Sequence, residues 1–414
     1  MGETVTIVGA GIVGICCALS LQERGIRVRL LDRGAPGQET SSGNAGIISP
    51  WSIIPQAIPG VWRTIPGLLL GRESPLTVRS SFWPKMIPWG LKFLSKSNER
   101  SVRQTSEMME YLCGPSIDLF RRRLKGTGHE DLVVDSYYIH VFRKGDRPSL
   151  DSLEYRMRRE RGGELELIGS VELHELEPAL SPVFDSAILI KGQARARSPG
   201  KIGEVLAKKA RVQGAEFINT ELHRLERGID GVWILETGSG SLRADKIVMA
   251  TGAWSADLLK SLGLKLPLVA ERGYHVEFAS PMVELRHSVM DVGAKIVASS
   301  MSDGLRVAGS AEFADIDAPA DPNKRDVMVR QAKAICPGLK VDECHFWLGR
   351  RPSFPDSLPA IGEIAGHEGL FAAFGHSHYG LMMAPKTGEV VADAIAGRSQ
   401  NIDLKRLDPM RFSQ

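Results

Sequence analysis

Three glycines and an aspartate near the start of the chain carry the first chemistry the sequence offers. Gly9-Ala10-Gly11-Ile12-Val13-Gly14 follows the apolar run Thr4-Val5-Thr6-Ile7-Val8, and Asp32 stands 18 residues after Gly14, closing a second apolar run from Arg27. Gly9 permits a tight turn, Gly11 lets backbone approach a pyrophosphate, and Gly14 lets a helix pack close against a strand. Ile12 and Val13 open that helix, whose first N–H groups are donors for an anion, while Asp32, with Arg33 beside it, can accept from a ribose hydroxyl. The spacing reads as a dinucleotide cradle, and on these residues NAD and FAD fit equally.

Two later stretches have the character of further cofactor walls. In Thr40-Ser41-Ser42-Gly43-Asn44-Ala45-Gly46-Ile47, hydroxyls, an amide and flexible backbone can wrap phosphates and a sugar-like chain; a plain surface loop has the same composition. The apolar strand Lys246 to Ala250 runs into Thr251-Gly252-Ala253-Trp254-Ser255, small residues at the edge where open α/β sheets bind ligands. The cradle's partners thus come from far downstream, and the nucleotide domain is discontinuous. No nucleophile–base pair is evident. The five cysteines (Cys16, Cys17, Cys113, Cys336, Cys344) lack the spacing of a zinc or disulfide framework, which suggests a reducing compartment with no bound metal, Cys16 and Cys17 being packing residues.

The elements that must position these residues can be taken in order. At 414 residues the chain has room for two cored domains, and 52 basic against 49 acidic residues leave a net charge of only +3, so no global field points to nucleic acid. No apolar run reaches about 18 residues and no leader precedes the first strand, so the expectation is a cytoplasmic protein. Residues 50–97 carry Trp51, Trp62, Trp83 and Trp89 among prolines, with Arg63, Arg72, Lys85, Lys92 and Lys96 nearby. Prolines should chop this region into short helices or turns. It suits either the roof of a buried site or an interfacial patch that would seat the protein peripherally on the inner face of the cell membrane. A single amphipathic helix is expected over 99–125, ending in Arg121-Arg122-Arg123, a run that its own dipole explains. Strands are expected at Tyr137 to Phe142, Arg272 to Phe278 and Leu305 to Gly309, and a last helix from about Ala384 to Ala396.

Four stretches together resemble the glycine oxidase and D-amino-acid dehydrogenase family of flavoproteins across essentially the whole chain. They are the cradle, the Ser41 to Ser49 loop, Ala250 to Ser255, and a terminal pair of motifs. The pair is Gly349-Arg350-Arg351-Pro352 with Pro355-Asp356 and Pro359-Ala360-Ile361-Gly362, then Gly375-His376-Ser377-His378-Tyr379-Gly380 leading to Ala384-Pro385-Lys386-Thr387-Gly388. The first looks closest to a branch that oxidises D-hydroxyproline, and Ser42 to Gly46 is similar to bacterial D-amino-acid dehydrogenases. The resemblance implies an α/β fold: a discontinuous Rossmann-type FAD-binding domain over 1–50, 150–256 and 345–414, plus an α+β substrate domain with a largely antiparallel sheet over 51–149 and 257–344. Asp32 stands where this family more often has glutamate, but either accepts from a ribose. No cysteine lies between Arg351 and Asp356, where some relatives attach flavin, so the FAD is expected to be non-covalent.

The same resemblance implies the reaction and its residues. FAD would oxidise a D-amino or D-imino acid, such as cis-4-hydroxy-D-proline, and pass electrons to a quinone or other carrier. A glycine- or sarcosine-type oxidase using dioxygen, and a flavin-carrying subunit of an electron-transfer complex, are the alternatives. Hydride loss from a neutral amine needs no strong base, so no catalytic side chain is assigned. Arg351 is the expected substrate anchor, because a guanidinium fork grips a carboxylate bidentately; Tyr274, His275, His378 and Tyr379 are expected to finish the substrate pocket. Leu222, Gly349, Gly375, His376, Gly380, Leu381 and Met382, with Tyr379 again, complete the expected cofactor walls.

Overall fold

A computed structural model describes residues 4–69 and 74–412. Thr4–Val8 is a β-branched run with almost every side chain buried, the pattern of a central strand covered on both faces. It lies between Arg27–Asp32 and Lys246–Met249, parallel to both, in a six-stranded sheet. Glu216–Asn219 and Leu370–Phe374 extend the sheet in parallel, and Ala360–Glu363 closes one edge antiparallel. The first helix, Ile12–Gln22, is buried nearly all round. It packs so closely on the last helix, Gly380–Ile395, that a Cβ on Gly388 would stand 2.4 Å from the Cys16 carbonyl oxygen. Cys16 and Cys17 are therefore packing residues at a helix crossing.

The second layer is a ten-stranded sheet, antiparallel except where Ser288–Asp291 meets Val133–Arg143 and where Leu76–Val78 meets Gly304–Phe313. Eight of its strands run in the order Cys344–Ser353, Val269–Phe278, Gly304–Phe313, Ile296–Met301, Ser288–Asp291, Val133–Arg143, Phe184–Ala196, Ile47–Ile48, with Leu76–Val78 on Gly304–Phe313 and Leu165–Gly169 on Phe184–Ala196 beside this path. The fold is thus the expected α/β class with a largely antiparallel second sheet. Leu165–Gly169, Phe184–Ala196 and Cys344–Ser353 pair into this sheet, although they fall in segments assigned from sequence to the nucleotide half. Phe184–Ala196 is held there by pairing with Val133–Arg143 along almost its whole length.

One local expectation is corrected, and a second, short helices over 50–97, is met with two of the prolines inside helices. The helix over 99–125 is two helices, Glu99–Cys113 and Ser116–Leu124, broken at Pro115, which has no N–H to continue the ladder. Of the basic run that ends it, Arg123 is buried and donates to Cys16 O, Ser20 Oγ and Pro385 O, so it ties three helices together. In residues 50–97, Pro66 and Pro88 lie inside the helices Val61–Leu69 and Trp83–Ser95 rather than ending them. Trp89 is buried with Phe82 and Phe313, whereas Trp62 and Leu91 are 58% and 65% exposed. Arg72 lies outside the described residues.

Candidate active site

One cavity of about 1260 Å³ runs from the end of the parallel sheet across one face of the large sheet. At its nucleotide end Gly9 has φ +105, and a Cβ there would meet Ala250 O at 2.4 Å; a Cβ on Gly14 would meet Gly9 O at 1.9 Å. Only glycine fits either position. The Asp32 carboxylate accepts from Ala10 N at 2.6 Å and Gly34 N at 2.8 Å, which fixes it at the cavity wall with lone pairs to spare. Arg33 stacks over the Trp254 indole, 4.5 Å to its centroid, and pairs with Glu221; Arg350 covers the same ring.

The other expected cofactor walls divide into those that border the cavity and those that shape it. Gly11, Ile12, Val13, Ser41, Asn44, Ala45 and Ile47 border it. So do Leu222, Ala250, Thr251, Gly252 and Gly349, and His376, Gly380, Leu381 and Met382 at the start of the last helix. Ser41 Oγ already accepts the Ile12 N–H at 3.0 Å. Ser42 is corrected: its hydroxyl turns back onto Gln38 O and Glu39 O, and it does not reach the cavity. Gly46 and Gly375, at φ +83 and +89, act by shape, since a Cβ would meet Ala196 O at 2.7 Å and the Phe354 ring at 2.3 Å. His376 is buried with Nε2 3.0 Å from Thr387 Oγ1, and burial pushes its pKa down to about 3, so it orients backbone as a neutral ring.

At the far end, strand pairing brings Arg351 opposite Glu271. Arg351 Nη1 lies 3.1 Å from Glu271 Oε1 and 3.1 Å from Ser310 O. Its guanidinium lies over Gly273, where a Cβ would stand 2.2 Å from Cζ. His378 Nε2 is 2.7 Å from the same Glu271 oxygen, and Ser353 Oγ donates to the other. Burial alone would raise the Glu271 carboxyl, but His378, Arg351 and Ser353 outweigh it and hold the pKa down at about 2. Glu271 is a site residue that the sequence reading missed. An acid in a strand buried on both faces was its one signal.

The pocket-finishing residues fare unevenly. His378 and Tyr379 border the cavity, and Tyr379 donates to Ile54 O at 2.9 Å. Tyr274 touches the cavity, but its ring stacks on Phe346 and its hydroxyl donates to Glu312 and accepts the Asp321 N–H. That hydroxyl is committed to the fold. His275 does not border the cavity: it stacks on Trp347 with Nδ1 3.2 Å from Gly43 O, and burial lowers its pKa to about 3. Adjacent strand positions face opposite ways, so the two could not both serve one pocket. Among the described residues, no group of His, Cys, Asp or Glu could hold a metal ion.

The walls fit FAD. The glycine turn would hold a pyrophosphate, Asp32 an AMP ribose, and the start of the last helix, whose first N–H groups favour negative charge, the flavin ring beside Arg351 and His378. The family model for FAD-dependent oxidoreductases of the DAO type matches residues 4–394. A D-amino-acid oxidase of Bradyrhizobium diazoefficiens is 34% identical, covering 99% of each chain. D-amino acid dehydrogenase 2 of Mesorhizobium japonicum is 29% identical over 96% of this chain and 98% of its own. The glycine oxidase of Geobacillus kaustophilus has the same fold, with a TM-score of 0.74 at 23% identity and 99% of each chain covered. With its glycine cradle, Asp32 and flavin-sized cavity in place, the chain belongs to the DAO family of FAD-dependent oxidoreductases.

Proposed function

We propose that this FAD enzyme oxidises a D-amino or D-imino acid at its C–N bond, cis-4-hydroxy-D-proline being the example that the Gly349 to Pro359 motif resembles. The observation that carries the reading is the presence of a dinucleotide cradle and a fork-shaped cation, Arg351, on one cavity. The relatives named D-amino-acid oxidase and D-amino acid dehydrogenase support it. The flavin, when bound, would supply the hydride acceptor. Arg351 would take the substrate carboxylate bidentately and so aim the Cα–H bond. Glu271 and Ser310 hold the guanidinium in place. No residue need remove a proton if the amine enters neutral.

Electrons would leave to a quinone or another carrier. The helices Val61–Leu69 and Trp83–Ser95 border the cavity and expose Trp62, Trp83, Ile87 and Leu91 beside Arg63, Lys85 and Lys92. That surface suits contact with an anionic lipid headgroup layer. Among the described residues no helix is long and apolar enough to cross a membrane. A second reading, dioxygen as acceptor, is favoured by the relative named an oxidase. Anaerobic mixing with D- and L-amino acids, N-methyl amino acids and hydroxyprolines tests the substrate class by flavin bleaching. Peroxide released in step with turnover would assign dioxygen, and bleaching without peroxide in air would assign the carrier. Bleaching by L-amino acids alone would refute the proposal.

A further inference from the structure

The cavity has a polar lobe that neither the cradle nor Arg351 uses. Tyr138 and His140 from Val133–Arg143, Tyr155 and Arg158 from Leu153–Glu160, and Lys295 all border it. Arg158 is 9% exposed. Its Nε and Nη1 donate to the carbonyls of Trp51 and Glu154, each at 3.0 Å, and it forms no ion pair among the described residues. Glu154, one turn earlier on the same helix, lends it a negative field without an ion pair and also borders the cavity. His140 is 8% exposed. Its Nδ1 is 2.8 Å from the Tyr155 hydroxyl, while Nε2 is buried with no hydrogen-bond partner among the described residues. The charges of Arg158 and Lys295 both bear on this ring.

A buried guanidinium without a carboxylate is costly. Arg123 offsets the cost with acceptors on two other helices, whereas Arg158 borders an open cavity beside a buried ring nitrogen that has no hydrogen-bond partner among the described residues. Asp32 is matched by two backbone N–H groups and Glu271 by Arg351 and Ser353. On that wall Ser377 Oγ and His378 Nε2 also lack a hydrogen-bond partner among the described residues, but His378 lies beside the Glu271 carboxylate. Two cationic side chains, Arg158 and Lys295, and the unpartnered His140 Nε2 border the lumen together. Their position bears on the substrate, because Arg158 Nε donates to Trp51 O and the Tyr379 hydroxyl to Ile54 O, three residues along the same segment, and Arg158 and Tyr379 border one cavity with His378 and Arg351.

We propose that Arg158, His140 and Lys295 form a second anion-recognition site, and that the preferred substrate is an acidic D-amino acid whose α-carboxylate sits on Arg351 and whose distal carboxylate sits here. This rests on the proposed function above and names its substrate class. Arg158 supplies the charged fork and His140 Nε2–H a further donor to the same carboxylate. Lys295, at the exposed edge, raises the local positive potential that draws a dianion in.

The test uses the FAD-loaded enzyme with two acids that lack an amino group and so cannot react, glutarate and butyrate, titrated by the change in flavin absorbance. Glutarate should bind about tenfold more tightly than butyrate, the gain expected of one charge-assisted hydrogen-bonded contact. The Arg158→Met enzyme should lose that advantage, Arg158→Lys should keep part of it, and butyrate affinity should hardly change in either. The exposed Lys295→Met variant should weaken glutarate selectively even if position 158 tolerates no change. Equal affinity for the two acids in the wild type would overturn the site. Equal loss of both in Arg158→Met would also overturn it, by making Arg158 the α-carboxylate anchor. D-glutamate and D-norvaline keep the two levels apart. Flavin reduction by D-norvaline as fast as by D-glutamate removes the second site and leaves the D-amino-acid reaction standing. Glutarate selectivity without reduction by any D-amino acid removes the reaction and leaves the site.

Discussion

Arg351 Nη1 lies 3.1 Å from a Glu271 oxygen that His378 Nε2 also approaches, at 2.7 Å. The proposed substrate anchor is therefore shared with a buried carboxylate of the protein itself. Glu271→Gln keeps the shape and removes the competing charge. It should tighten binding of a simple carboxylate such as butyrate several-fold. It should also lower folding stability by about 1.5–3 kcal/mol, as hydrogen bonds to a charged group are lost. Ligand titration and denaturant melts measure the two effects, and weaker butyrate binding would contradict the assignment.

Gly273 matters because the guanidinium rests on it. A methyl group there would stand 2.2 Å from Arg351 Cζ, so Gly273→Ala should displace the fork while leaving the cradle intact. The expected result is full FAD content with KM raised about tenfold or more, the scale of losing an oriented charged contact. An unchanged KM would separate Arg351 from substrate binding.

The cradle has its own test. In Gly14→Ala the new Cβ would fall 1.9 Å from Gly9 O, forcing the first helix off the turn that would meet the pyrophosphate. The purified variant should lack the yellow flavin absorbance. Thermal unfolding should no longer shift on adding FAD, which stabilises only a chain that binds it.

Acid should destabilise the chain through its buried histidines. Burial lowers His275 to about 3, His287 to about 4 and His376 to about 3, all from 6.5. Each folded pKa is depressed, so the unfolded chain binds protons first. Their contribution is complete above pH 6.5 and is lost as pH falls toward 3–4. Glu177 acts oppositely: burial raises it from 4.5 to about 7, so its contribution is present below 4.5 and fades as pH rises through 7. Glu271, depressed to about 2, weakens the fold only below 4.5. His140, which burial also pushes well below 6.5, makes four histidines against one glutamate, and they predict a Tm that falls on acidification from neutral pH, with a smaller fall in His376→Gln. A Tm that rises over that range would contradict the assignment.

The cradle was legible in sequence because its logic is local: turn, helix start and acid lie within the first 32 residues, and each residue type is forced by backbone geometry. Arg351 could be named as the proposed anchor because a motif marks it. Glu271 was not, since what makes it a site residue is contributed by Arg351 and His378, 80 and 107 residues later (351 − 271 and 378 − 271), through strand pairing that no periodicity reveals. The same non-locality misled the reading of Tyr274 and His275. Their strand was correctly expected, but its buried faces serve Glu312 and Trp347 instead of a ligand. Ser42 looked like its neighbour Ser41, and only the turn decides that one hydroxyl meets the helix start while the other folds back on Gln38.

The most direct measurement is the anaerobic rate of flavin reduction by paired D- and L-enantiomers in the wild-type and Arg351→Met enzymes. The expected result is rapid bleaching by a D-amino or D-imino acid, none by its L-enantiomer, and a large loss of rate at subsaturating substrate in Arg351→Met with FAD still bound. Equal bleaching by both enantiomers, or an Arg351→Met enzyme as fast as wild type, would contradict the account.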